Sequence, residues 1–222
     1  MNIAECKTFV GGIQGSGKTY LTSQNLIPCF NRVIVYAVHP TDFLNIPMDE
    51  TKQKLKIVIP KDFKLETLNA TAKKIKEFAL NGECDCFVLD EADLFLPKSN
   101  ETIKKNAHDF YDLLINHRHY KKGYPKVDDK NLKGLAIIII SRRPQSIPTE
   151  LMEQCEHIFL FAIEGDNVTE KFRNIDGRFV NLIPNLNKDK HNFIHKRTGY
   201  EPKLYSSVSI RELEDTNERG KE

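Results

Sequence analysis

The sequence predicts an α/β fold in which a mainly parallel sheet lies between two layers of helices. Three observations point to it. Short, β-branched apolar runs alternate with segments of helical spacing. One run, Cys86-Phe87-Val88-Leu89, is apolar on both faces, as a central parallel strand must be. A glycine-rich stretch, Gly12-Ile13-Gln14-Gly15-Ser16-Gly17-Lys18-Thr19, joins the first apolar run to a helical segment. A chain of 222 residues, 40% hydrophobic and 29% charged, can bury the core of one such domain. We expect that domain to occupy residues 1–210, followed by a polar tail, 211–222, that frays.

The elements follow in order. Thr8-Phe9-Val10 is the first strand, and Ile13 to Leu21 lead into a helix. Val33 to Val38 reads as a second strand, ended by His39-Pro40, and Lys56 to Ile59 as a third, stopped by Pro60. Leu65 to Leu80 has helical spacing and ends at Asn81-Gly82. From Glu101 to about Tyr120, Ile103, Ala107, Phe110 and Leu114 recur at helical intervals and predict one helix. A lysine-rich loop or hairpin, Lys121 to Lys133, precedes the buried strand Leu135 to Ile140. His157 to Ala162 is a further strand, and Asn192 to His195 a last edge strand.

The glycine-rich stretch fits G-x-x-x-x-G-K-[ST] at every fixed position, in the strand–loop–helix setting that phosphate binding requires. Its backbone amides would curl around phosphate oxygens while the helix N-terminus adds positive potential. Gly12 through Thr19, with Tyr20, are the candidate nucleotide-binding residues. Lys18 would reach the β- and γ-phosphates, and the Thr19 hydroxyl would ligate Mg²⁺. Downstream, the strand Cys86 to Leu89 delivers Asp90 and Glu91 at its C-terminal end, where parallel sheets bind ligands. Asp90 is the candidate second Mg²⁺ residue. Glu91 is the candidate that polarises the attacking water, and Asp93 supports them structurally. Together the motifs imply a P-loop NTPase built as a three-layer α/β/α sandwich. Asn187-Lys188-Asp189-Lys190 is off-register for guanine-reading N-K-x-D and reads as a loop.

A departing γ-phosphoryl spreads negative charge that a guanidinium can stabilise, in cis or from a neighbour. Arg118, Arg142 and Arg143 are the candidates, and surface pairing with acidic neighbours is the alternative for each. His117 and His119 flank Arg118 without a pattern that completes a metal site. Cys84 and Cys86, one residue apart, should share a strand face as core thiols. The five cysteines lack metal-binding rhythm and suggest a reducing compartment.

The net charge of +2 is too small to announce nucleic-acid binding in bulk, so any such role rests on local patches. Lys121, Lys122 and Lys126, with Tyr120 and Tyr124 interleaved, could track DNA phosphates, or could form a solvated basic loop. Lys188 to Arg197 is a weaker basic stretch. No signal-like N-terminus or membrane-length apolar run is seen, so a soluble, cytoplasmic protein is expected.

The phosphate loop, the Asp90-Glu91 pair, Asn116-His117-Arg118-His119 and Ile139-Ile140-Ser141-Arg142-Arg143-Pro144-Gln145-Ser146-Ile147-Pro148 occur in an order that resembles the FtsK–HerA superfamily of ring-forming, DNA-pumping ATPases. The resemblance runs from about Lys7 to Ala162. It is greatest to viral genome-packaging ATPases, with zonula-occludens-toxin-like assembly ATPases as neighbours. It implies a RecA/FtsK-like fold, ATP with Mg²⁺, and a homo-oligomeric ring, a hexamer among the options. The implied partners are double-stranded DNA and a capsid vertex or membrane protein, and the implied role is packaging viral DNA into a capsid. Such proteins usually end the sensor strand with glutamine, whereas this chain has Arg142 there. A nucleotide kinase shares loop and size and is the alternative enzyme class. A membrane-associated virion-assembly ATPase is the third reading.

Overall fold

The computed structural model describes residues 3–49, 51–123 and 133–206. The tail expected at 211–222 lies outside them. Among the described residues, eight strands build one sheet: β1 Lys7–Gly11, β2 Arg32–Tyr36, β3 Lys54–Val58, β4 Cys86–Leu89, β5 Ala136–Ser141, β6 His157–Leu160, β7 Phe193–Arg197 and β8 Lys203–Tyr205. Their order is β3-β2-β4-β5-β1-β6-β7-β8. β1 to β6 pair in parallel, so their C-terminal ends form one edge of the sheet. β7 and β8 add an antiparallel extension.

Strand alternation sorts the core into two faces. Ile34, Tyr36, Phe87, Leu89, Ile137 and Ile139 point one way, and Val33, Val35, Val88, Ile138 and Ile140 the other. Helices cover the first face: α2 Leu65–Leu80, α3 Asn100–Asn106, α4 His108–Asn116, α5 Thr149–Glu153, α6 Asp166–Ile175 and α7 Phe179–Leu182. The second face is covered by the helical run that starts with α1 Lys18–Leu21 and continues as a π-turn and a 3₁₀ turn to Cys29, with Phe43 beside it. The result is the expected α/β/α sandwich. Each buried isoleucine of β5 contributes about 1.5–3 kcal/mol through removal from water. A charged residue at Ile138, which is 1% exposed, would therefore break the centre of the sheet.

α2 occupies the predicted span. Leu68, Ala72, Ile75 and Ala79 form its buried stripe, and Gly82 follows it at φ 72°, a left-handed stop that favours glycine. Three expectations need correction. The helix foreseen over 101–120 is broken at Ala107, at φ −140°, because the Asn69 side chain of α2 accepts the Phe110 N–H at 3.0 Å. The tertiary bond caps a new helix and overrides the periodic pattern. Cys84 and Cys86 join opposite core clusters, since Cys84 precedes the strand and escapes its alternation. Burial raises both thiols, Cys84 to about 12, which leaves them inert core groups. β7 is not an edge, because β8 pairs with its outer side. Among the described residues, no helix is long and apolar enough to cross a membrane.

Candidate active site

β1 ends at Gly11 between β5 and β6, and the loop after it is anchored to both neighbours. Gly12 N donates to Ser141 O at 3.2 Å, and Ile13 N to Ala162 O at 2.8 Å. Gly12 turns at φ 150°, and a Cβ there would lie 2.7 Å from Phe161 Cβ, so a side chain has neither backbone nor space. Ser16 Oγ donates to Ile13 O at 2.8 Å and braces the loop from inside. Among the described residues, the amides of Gln14, Gly15 and Gly17 donate to no protein acceptor, which leaves a nest for an anion. Lys18 is buried at the start of α1, with Nζ donating to Ile13 O at 2.8 Å. Burial lowers its ammonium to about 8, against the pull of Asp90, Asp93 and Glu91.

The loop forms one wall of a cleft of about 1010 Å³ at the C-terminal edge of the parallel strands. Gln14, Gly15, Gly17, Lys18, Thr19 and Tyr20 line it, whereas Gly12, Ile13 and Ser16 shape the loop from behind. Asp90 and Glu91 line the facing wall at the end of β4. Asp90 is 4% exposed. Burial, and then the charge of Glu91, push its carboxyl up to about 7. A divalent cation beside it would restore its charge. Thr19 supplies a hydroxyl on the same cleft, and this hard-oxygen pair fits Mg²⁺ that keeps waters and takes substrate phosphates. Among the described residues, no group of three or more His, Cys, Asp or Glu side chains could hold a metal by itself.

Glu91 adopts φ 46°, ψ 47°, a left-handed conformation that a non-glycine residue rarely takes. Such local strain persists where the surroundings enforce it, as at catalytic turns. Here it turns the side chain toward Arg142, whose Nη1 lies 3.4 Å from Glu91 Oε1, and toward His39 Nε2 at 3.9 Å. Asp93 is the buried strut that sequence suggested. It accepts from Ser141 Oγ at 2.9 Å and from Arg142 N at 3.1 Å, and sits 3.5 Å from Arg142 Nε.

The three arginines separate. Arg142 lines the cleft from the end of β5, at the position where glutamine was expected. Arg143 is exposed just beyond it, outside the cleft lining, and its amide donates to Ser141 Oγ at 3.1 Å. Arg118 takes the pairing with an acidic neighbour that the sequence left open, away from its own cleft. It lies at the opposite edge of the sheet, where Nη2 pairs with Glu156 Oε1 at 2.6 Å while Glu156 Oε2 accepts the Lys7 amide that opens β1. Helix α4 runs back across the sheet, so its C-terminal end carries Arg118 away from the phosphate loop. Lys121 and Lys122 share that far edge, around a hollow with Glu5, Arg32 and Asp85. Lys126 and Tyr124 lie outside the described residues.

Sequence reasoning missed several lining residues. His39 and Asp42 follow β2, and the rule that ligands gather at strand C-termini could have flagged them. His191 and Phe193 come from the start of β7, which the sequence marked as a strand without showing that it runs antiparallel and brings them to the cleft.

Fold and cleft together define a P-loop NTPase fold. Solved structures of that fold cover nearly the whole chain. The genome-packaging NTPase B204 of Sulfolobus turreted icosahedral virus 2, in complex with ATP-γS, aligns with TM-score 0.69 at 15% identity over 94% of this chain and 100% of its own. B204, the DNA-packaging ATPase from Sulfolobus turreted icosahedral virus, aligns with TM-score 0.71 at 13% identity over 93% and 100%. The cytoplasmic domain of the type VII secretion ATPase EccC from Thermomonospora curvata aligns with TM-score 0.55 at 12% identity over 93% of this chain and 26% of that one. At such identities the likeness is one of fold. No protein-family model and no curated protein sequence matches the chain.

Proposed function

We propose that the protein is an ATP-hydrolysing motor that moves double-stranded DNA into a viral capsid, working as a ring of identical subunits. One observation carries the hydrolysis: Asp90 and Glu91 line the same cleft as Lys18 and Thr19, at the C-terminal edge of the sheet. The loop amides and Lys18 would bind the triphosphate, and Thr19 and Asp90 would hold Mg²⁺, which would supply positive charge to the phosphate oxygens. Glu91 accepts a proton from the attacking water as it aligns in line with the bond to be cleaved. Arg142, held against Glu91 and Asp93, supplies positive charge to the departing phosphoryl group. Arg143 is exposed beside the cleft and is the residue a subunit could offer to its neighbour.

Support for the DNA step is of a different kind. It comes from the motif order and from the likeness in fold to B204, a DNA-packaging ATPase. Lys121 and Lys122, on the edge remote from the nucleotide, are the proposed DNA contacts, in a motor working in the host cytoplasm at a capsid vertex. Steady-state ATP turnover with and without duplex DNA, across protein concentration, tests the reading. Stimulation by DNA with turnover per subunit rising with concentration is expected. Turnover indifferent to DNA would remove the translocase, and γ-phosphoryl transfer to a nucleoside monophosphate would make the protein a kinase.

A further inference from the structure

We propose that Lys188, from the loop that enters β7, is a phosphate-binding cation supplied in cis to the β/γ end of the nucleotide. This rests on the ATPase reading of the cleft and adds a residue that no motif assigns. The antiparallel extension is what brings it there. β7 pairs with β6 in the register Leu160 opposite Ile194, so the chain enters β7 at the edge where β6 ends and the phosphate loop begins. The residues just before β7 must therefore pass over that loop.

They form a tightly turned segment. Asn187 Oδ1 accepts the amides of Asp189 at 2.8 Å and Lys190 at 3.2 Å. Asn192 Oδ1 accepts the Asn187 amide at 2.7 Å, and its Nδ2 donates to Asn185 O at 2.8 Å. His191 closes the turn at φ 49°. The turn presents two side chains to two phosphate-loop glycines. Lys188 Cε and Nζ lie 3.0 and 3.5 Å from where a Cβ on Gly15 would stand, and His191 Cβ lies 3.4 Å from the same point on Gly17. The glycines leave room for this approach, and His191 is itself a cleft wall.

The Gly15 amide belongs to the nest that would hold phosphate oxygens. Among the described residues, Lys188 Nζ has no hydrogen-bond or ion-pair partner, so its charge is free to meet an anion there. A lysine ammonium acts as a point charge, and beside the loop tip it adds to Lys18 where negative charge accumulates as the terminal phosphoryl departs. Lys190 is exposed on the same turn, and no approach to the phosphate-loop glycines is seen for it, which makes it an internal control.

The test is equilibrium titration of the full chain with ATP·Mg²⁺, ADP and AMP, using Lys188→Ala, Lys188→Arg and Lys190→Ala. Lys188→Ala is expected to weaken ATP·Mg²⁺ by about tenfold, the loss of one charge-assisted contact, and to leave AMP unchanged. Lys188→Arg and Lys190→Ala should stay within about twofold of the parent, well inside the effect of losing such a contact. If the parent binds ATP·Mg²⁺ and Lys188→Ala binds it equally well, the proposal is wrong while the ATPase reading stands. Equal losses for ATP and AMP would also overturn it, because a phosphate contact at the β/γ end cannot touch AMP. A parent that binds no nucleotide would sink both.

Discussion

The two edges of the sheet use charge in opposite ways. At the C-terminal edge Asp90 is pushed up to about 7 and Lys18 down to about 8, and Glu91 sits in a left-handed conformation. At the N-terminal edge the charges are paired: Arg118 with Glu156, and Asp85 with Arg32, whose amide Asp85 Oδ1 also accepts at 2.8 Å. One edge pairs these charges within the protein, and the other holds groups whose charges a bound nucleotide and cation would restore. On the proposed function, the same strands carry paired charges at one end and the chemistry at the other.

That contrast can be broken experimentally. Lys18→Ala has the largest expected effect, a loss of about thousandfold in ATP turnover together with weakened nucleotide binding. Retained turnover would mean the cleft is not the reaction site. Next comes the pair of arginines. Arg142→Ala should lower turnover by about a hundredfold, whereas Arg118→Ala should leave cis hydrolysis within about twofold and change only stability. Equal losses from the two would erase the distinction between the edges.

Asp90→Asn sharpens the comparison through stability. Its folded value of about 7 lies above the ordinary 3.8, so Asp90 favours the unfolded chain, by an amount absent below pH 3.8 that grows until the pH passes about 7. The variant without nucleotide should melt higher than the parent by about 5 °C at pH 8, and the gain should shrink toward pH 5. A lower melting point at pH 8 would contradict the strained-site picture. The smallest effect is at Lys76, which ties α2 to α4 through Asp109 at 2.7 Å and Asp112 at 2.8 Å. Burial raises Asp112, but hydrogen bonds from Lys76, Tyr120 and Asn116 outweigh it and bring it down to about 2. Lys76→Ala should cost about 1 kcal/mol at pH 7. The Asp112 contribution is present above pH 3.8 and lost as pH falls through about 2, so acid melts should converge for the two proteins.

How much was legible in the sequence follows the range of the forces involved. The phosphate loop, the Asp90-Glu91 turn and α2 were readable because each is fixed by residues adjacent in the chain. The break at Ala107 was not, since the Asn69 side chain that causes it belongs to another helix. The remoteness of Arg118 from its own cleft was not legible, because its position depends on the direction in which α4 recrosses the sheet, which local spacing does not encode. β8 is three residues long, Lys-Leu-Tyr, too short for alternation to show. His191 reaches the cleft wall, and Lys188 approaches Gly15, only through the antiparallel register of β7, set by pairing with residues 34 to 40 positions away.

The most direct test of the central claim is Glu91→Gln, measured for both ATP·Mg²⁺ affinity and single-turnover hydrolysis. The amide keeps the shape and the hydrogen-bonding reach but cannot take a proton from water. The account predicts affinity within about threefold of the parent and hydrolysis slowed by at least about a hundredfold. Hydrolysis at the parental rate would contradict it.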